Sequence, residues 1–399
     1  MTLPKSIWSW AYYDFANSSY VLVYAALLLP VFFATMYANT GHSLGAWGVA
    51  NALATAIGLV ISIIIGRYSD KHGKFKSFKY SILISFIGMM TIALAVKFWI
   101  GSVYYFYIFT QSFFILSISL SDSILPHIAS KKDSSEYSGF AWGFGYLGGV
   151  AALVIAIILQ KITGNEYHPL VFASTAIFYM LFSIYSLRGL KKVKMNEKPP
   201  VTQTSILTKS QKNILLLGYW FISEGITVIL LFITIYLKNE LGFSNMKIGA
   251  TLLAVQSIAF PATWYGGKLA RRFDIVKLLG VTVILWGITV AFLTFNLGLP
   301  GLIVIIIAGA FTLGNSQSYL RSQYANLIER SESGFQFGLY TVASEAAVFI
   351  GPIIYGLASD YFKSQRIPLI CLFITMVLGY ILIWKITKNI NIKTGEIWT

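Results

Sequence analysis

Twelve apolar runs, each roughly 20 residues long, take up most of this chain. Nothing else in the sequence constrains the fold as tightly. A run of that length crosses the hydrocarbon of a bilayer as a helix, which satisfies every backbone donor and acceptor within itself. The candidate spans fall near residues 10–37, 46–66, 78–98, 103–127, 138–160 and 169–188, then 213–237, 248–267, 277–297, 301–325, 336–357 and 367–385. Between the two sets lies RGLKKVKMNEKPPVTQTSILTKSQK, which is basic, contains proline and is poor in large apolar residues. Residues 1–190 are therefore expected to form an N-terminal six-helix bundle, 191–212 a basic cytoplasmic linker, and 213–399 a C-terminal six-helix bundle. Barrel strands would alternate in polarity over about 10 residues, and no such alternation is present. The expected fold is an all-α membrane protein with twelve transmembrane helices in two pseudo-symmetric bundles. The first run is too long for a signal-peptide core and is expected to stay as an uncleaved span.

Charge then sets orientation and excludes several functions. A net charge of +15 in a chain that is only 11% charged residues marks loops rather than a nucleic-acid surface, because Lys and Arg collect on the cytoplasmic side. Basic residues fill the second loop (Arg67, Lys71, Lys74, Lys76), the fourth (Lys131, Lys132), the central linker, the eighth (Lys268, Arg271, Arg272) and the C-terminal tail (Lys385, Lys388, Lys393). Alternate loops are short and nearly free of them, with Lys161, Lys238, Lys363 and Arg366 as exceptions. Both termini are expected in the cytoplasm of a cell whose inner membrane the chain spans many times. The single cysteine, Cys371, sits in an apolar run and is expected as a buried thiol. His42, His72, His127 and His168 show no metal-ligand spacing. No Gly-Lys-Ser/Thr phosphate loop or nucleophile–His–Asp arrangement appears either. The expectation is no enzyme, no cofactor and no metal, and a monomer in the lipid bilayer.

The halves echo each other. SGFAWGFGYLGG at Ser138–Gly149 aligns without gaps on SGFQFGLYTVAS at Ser333–Ser344, and GRYSDK at 66–71 falls opposite GKLARR at 267–272. Two six-helix repeats joined by a basic linker are the pattern of a transporter that rocks around a central site. GRYSDKHGKFK, Gly66 to Lys76, carries Gly66, Asp70, Lys71, Gly73, Lys74 and Lys76 at the spacing of a loop signature. Gly66 permits close helix approach, Gly73 a tight turn, and Asp70 can accept hydrogen bonds from the exposed amides of a helix N-terminus. This loop resembles the signature of the major facilitator superfamily. The resemblance implies the major facilitator fold, a gating role for the motif, and the start of the eleventh helix, near Gly334–Gly338, as the partner of Asp70. In the second half Arg271 replaces Asp70 and Asp274 replaces Gly73, so no equal gating role is expected there.

Three further blocks narrow the resemblance: YYDFANSSYVLVYAALLLPVFF, LPHIASKKDSSEYSGFAWGFGYLGG and SYLRSQYANLIERSESGFQFGLY. They are similar to the vacuole-effluxer branch, which holds the autophagy-related vacuolar amino-acid exporters and their bacterial relatives. That resemblance covers the whole chain. It implies solute movement toward the cytosol, with amino acids as the cargo of the eukaryotic members.

Intramembrane charges are costly and mark function. The helices that line the cavity in this fold, the first, fourth, seventh and tenth, carry Asp14, Asp122, Glu224 and Arg321, and the eleventh adds Glu345. At about 1.5 Å per residue, Glu224 and Glu345 lie near the midplane, and Asp14, Asp122 and Arg321 in the cytoplasmic third. Arg321 is expected either to pair with Asp14 or Asp122 as a lock or to anchor a substrate carboxylate. Glu224 and Glu345 are expected to carry protons, or to sit protonated against Ser223, Thr227 or Ser344. Tyr13, Asn17 and Tyr20 recur on one face near Asp14. Gln111, Trp142, Tyr146, Tyr219 and Gln317 are wall candidates, and Trp8 and Trp10 read as interfacial belt residues.

Four acids against one arginine disfavour a polyanion as cargo. The expected function is proton-coupled secondary transport of a small polar solute, an amino acid or similar zwitterion, by alternating access. The alternatives are export of cationic or amphiphilic compounds, import of a polycarboxylate or metal chelate, and a membrane receptor or scaffold that moves nothing.

Overall fold

The computed structural model describes residues 3–36, 43–165, 167–193, 195, 207–295 and 298–394. Most of the expected linker, residues 194 and 196–206, lies outside them. Among the described residues the regular structure is helical, with no strand. In chain order the long elements are α1 (Lys5–Ser19, continuing through Tyr20–Leu28 and Leu29–Met36), α2 (Ser43–His72), α3 (Lys74–Phe98), α4 (Val103–Asp122), α5 (Ser134–Thr163) and α6 (Pro169–Leu190). They continue as α7 (Lys209–Asn239), α8 (Asn245–Leu269), α9 (Ile275–Phe295), α10 (Gly298–Leu327), α11 (Ser333–Glu345 and Ala347–Phe362) and α12 (Arg366–Thr394). Ten stretches of the described residues are helical, long and apolar enough to cross a membrane. The other two are α1, which is interrupted, and α8, which carries Lys247, Gln256, Thr263 and Lys268. The chain is a multi-pass integral membrane protein.

Local chemistry sets the helix ends. Thr208 and Gln211 form a reciprocal capping box at the start of α7, and Ser244 caps α8. Asp274 accepts from the amides of Val276 (2.7 Å) and Lys277 (3.0 Å) to begin α9. Within α1, Tyr20–Leu28 winds as a π-helix, and Leu29 N–H donates to the Tyr24 carbonyl five residues back. Pro30, just past its end, has no amide to give and would clash with the carbonyl of Ala26 in an ordinary turn. A second break falls at Ala346 in α11, with Pro352 further along the same helix.

Packing divides the chain into two units. One holds residues 1–128, 144–199 and 330–341, and the other holds 129–143, 200–329 and 342–399. Each has a core rich in tyrosine, and several of the hydroxyls reach a partner, since an unpaired hydroxyl in hydrocarbon costs several kcal/mol by solvent-transfer measures, up to about 7. In the first unit Tyr24 donates toward the carbonyls of Met89 (2.8 Å) and Phe172 (3.0 Å). In the second, Tyr319 donates to the Gly266 carbonyl (2.9 Å) and Tyr236 to that of Leu293 (3.1 Å). Outer faces are apolar: Ile64, Ile284, Ile353 and Leu357 are all more than half exposed, as suits helices in lipid.

Two expectations are corrected. Cys371 is exposed on α12 rather than buried. Trp10 is fully buried, its indole N–H donating to the Ser121 carbonyl at 2.9 Å, so only Trp8 keeps the exposure of a belt residue.

Candidate functional site

Asp70 ends α2 at the loop motif and reaches the start of α11. Its Oδ1 accepts the Gly334 amide (2.8 Å) and its Oδ2 the Phe335 amide (2.9 Å). Both are amides that the first turn of a helix leaves unpaired, and the positive end of the helix dipole favours the carboxylate. Lys74, only 2% exposed, pairs with the same carboxylate at 2.5 Å. Gly73 joins the two helices at φ 116°, a backbone region that side chains avoid. Gly66 lies directly against the Gly334 backbone, so any side chain at 66 would collide with that carbonyl. Arg67 closes the contact by stacking over Phe335, 4.5 Å from its ring centroid. Lys71 is exposed at the end of α2.

The second unit repeats this arrangement with charges reversed. Arg271, after α8, donates to Glu136 Oε2 at 2.7 Å and pairs with Asp133 at 3.0 Å, both at the start of α5. The hydrogen bond to Glu136 pushes the guanidinium pKa up. Gly267 meets the Ser135 and Glu136 backbone as Gly66 meets Gly334. The loop that looks degenerate by comparison with Asp70 thus makes an ion pair of its own. Its sequence signal is the sign change itself: a base in place of Asp70 calls for acids on α5, and Asp133 and Glu136 supply them. Arg271→Glu is expected to lower thermal stability in detergent, and Arg271→Glu with Glu136→Arg to restore most of it. Equal melting of the single and double variants would show that the pair contributes nothing.

Arg321 on α10 is 2% exposed. Its Nε donates to Ser138 Oγ (2.9 Å) and its second terminal nitrogen to the Ser138 carbonyl (3.0 Å). Ser138 Oγ donates onward to the Ser318 carbonyl (3.0 Å), and the guanidinium sits 5.5 Å from the Trp142 ring centroid. The first unit holds the same motif. There Ser333 Oγ donates to the Ser123 carbonyl (2.9 Å), and His127 Nε2 lies 3.1 Å from Ser333 Oγ. His127 is therefore the counterpart of Arg321, which residue spacing around histidines did not reveal. The repeat offset of the SGF blocks, applied to Arg321, falls on its neighbour Pro126 and could have found it.

The remaining candidates divide between the units. Asp14 and Asp122 are each 7% exposed in the first, and Asn17 approaches Asp14 at 3.5 Å. Tyr13 is fully buried, bonded to Ser117 at 2.5 Å and packed edge-on against Phe78 and Tyr179, a position inside the bundle. Tyr146 is half-buried in the first unit, and Trp142 and Gln317 are half-buried in the second. Tyr219 donates to Gln323 at 3.2 Å. Glu224 lies at the middle of α7, 5% exposed, against Gly351 of α11. No hydrogen bond or ion pair to it is found among the described residues. Glu345 is half-buried at the break of α11.

Comparison with known proteins agrees with this architecture. The family model described as "Vacuole effluxer Atg22 like" matches residues 46–394. An uncharacterized MFS-type transporter, YxiO of Bacillus subtilis, is 23% identical over 97% of this chain and 96% of its own length. Autophagy-related protein 22 of Yarrowia lipolytica is 26% identical over 58% of this chain, and that match spans only 47% of the fungal protein. Among solved structures, a bacterial homologue of the iron transporter ferroportin in an outward-facing state superposes with a TM-score of 0.73 at 12% identity, covering 96% of this chain and 98% of that one. The fucose:proton symporter FucP of E. coli gives 0.69 at 15% identity, with 96% and 97% covered. A helical membrane protein with the helix-capping loop motif, matched along most of its length by that family model, belongs to the Atg22-like vacuole-effluxer family of major facilitator superfamily transporters.

Proposed function

We propose that this transporter moves a small zwitterion, an amino acid or close analogue, by alternating access driven by a proton gradient, with Glu224 as the proton carrier. The observation that carries this is the lone carboxyl in the middle of α7: buried, bound to nothing among the described residues, and lying against a glycine of α11. An ionised carboxylate cannot be held in apolar surroundings without a partner, so the group cycles its proton as access alternates. Glu345, at the break of α11, is the second candidate carrier. Asp70 and Arg271 act as cytoplasmic latches, with Gly66, Lys71, Gly73 and Lys74 shaping the first. Because Ser138 engages Arg321 through two groups, Arg321 reads as a lock between α5 and α10. Asp14, Asn17, Asp122 and Tyr146 of the first unit are candidates to meet cargo, as are Trp142 and Gln317 of the second. The acidic balance favours a cargo with an amino group. The protein would lie in a bacterial inner membrane with both termini cytoplasmic.

The test uses purified protein in liposomes, a mixture of amino acids, amines and carboxylates outside, and an imposed pH gradient, read by mass spectrometry. Accumulation of zwitterions is expected. Glu224→Gln should lose at least tenfold of the gradient-driven accumulation while keeping exchange between equal pools, because only the proton step is removed. Undiminished accumulation in Glu224→Gln would sink the carrier assignment. Accumulation of amines alone would replace the zwitterion with the cationic-cargo reading, which the same acids support.

A further inference from the structure

We propose a specific site for one anionic phospholipid, with its phosphate between Lys277 and Lys388 and one acyl chain in the furrow between α9 and α12. Tyr380 and Phe373 of α12 lie on Gly280 and Gly287 of α9, where even a methyl group would meet the ring atoms. The helices approach at those two points and leave a furrow of about 300 Å³ beside them. Val283 forms its buried floor, and Val281, Ile284 and Val377 its walls. Val281 and Ile284 are 45% and 64% exposed, so the furrow opens toward lipid rather than into the protein.

The charged end of the furrow distinguishes it from an ordinary apolar groove. Lys277 lines its mouth and is exposed. On α12, Phe373, Val377, Tyr380, Trp384 and Lys388 follow one another at helical spacing and share a face. Lys388 folds back over the Trp384 ring, its Nζ 5.1 Å from the centroid. With Tyr380 against Gly280, a rise of about 1.5 Å per residue puts Trp384, and the ammonium above it, close to the level of Lys277. Neither lysine has an ion-pair partner among the described residues. The nearby acid, Asp274, has its Oδ1 committed to the Val276 and Lys277 amides. Two unpaired cations over an exposed apolar furrow complement a phosphodiester with its chains. Exposed Trp384 sets the height of the membrane interface there.

The test is native mass spectrometry of the full chain in detergent, titrated with phosphatidylglycerol or with phosphatidylcholine of the same acyl chains. Wild type is expected to retain one phosphatidylglycerol in preference to phosphatidylcholine. Lys277→Gln and Lys388→Gln should each weaken that binding about fivefold, and the double variant should bind both lipids alike. Arginine at both positions should preserve the preference, which separates charge from misfolding. Val281→Trp, which fills the furrow and leaves both cations, should weaken both lipids. Equal binding of the two lipids by wild type would overturn the site, as would a preference that survives the double glutamine variant.

Discussion

Asp70→Ala is expected to cost more stability than any other single change in the loop motif, and to stop transport. The substitution strips Lys74, 2% exposed, of the ion-pair partner it has among the described residues and frees two amides at the start of α11. Removing one member of a buried pair costs about 3–5 kcal/mol, because the remaining charge is left uncompensated. Thermal unfolding in detergent should fall by many degrees. Adding Lys74→Met removes the stranded charge and should recover most of that loss. Transport should not return with it, because the latch on α11 is still missing. A double variant that regained both would show that Asp70 serves only to neutralise Lys74. Melting of Asp70→Ala at the wild-type temperature would deny the carboxylate any anchoring role.

Arg321→Lys is the second large effect, although it keeps the charge. The guanidinium uses two nitrogens on one residue, Ser138 Oγ at 2.9 Å and the Ser138 carbonyl at 3.0 Å, and an ammonium cannot span both in that fork. Transport is expected to drop at least tenfold. Ser138→Ala removes one of the two contacts and about 1 kcal/mol of net hydrogen bonding, so it should show a milder form of the same defect. For a lock, both variants should lower the maximal rate and leave the half-saturating substrate concentration near that of wild type. An arginine that binds cargo would instead raise that concentration steeply in Arg321→Lys and hardly at all in Ser138→Ala.

Much of the fold was legible because hydropathy and loop spacing are local. All twelve expected spans overlap helical segments, with residues 37, 296 and 297 outside the described residues, and at several ends the helices run further than the apolar stretch: α2 to His72, α5 from Ser134, and α10 to Leu327. The extensions of α2 and α5 carry Asp70 and Glu136, polar residues that an apolar count trims away. Asp70 was readable from its spacing to Gly66 and Gly73, since a helix end, a turn and a cap lie within a few residues of one another. Arg321 was visible as a costly charge, yet its contact with Ser138 was not, because it joins two helices far apart in sequence. His127 escaped for the same reason, although Ser333 and Ser138 stand at equivalent places in the two repeats.

In lipid, the rule that tells inside from outside in a soluble helix is weak, because acyl chains are as apolar as leucine. An exposed Ile284 and a buried Val283 are therefore alike in hydropathy, and the same silence hid the burial of Trp10 and the exposure of Cys371. The sequence alone determined where the apolar helices lie along the chain and which loop can cap another helix. Each of these follows from chain length in hydrocarbon or from residues a few positions apart. Only the tertiary structure decided which face of each helix meets protein and what holds Arg321. These depend on packing between distant segments, and a solvent as apolar as the core leaves no periodic trace of it in the chain.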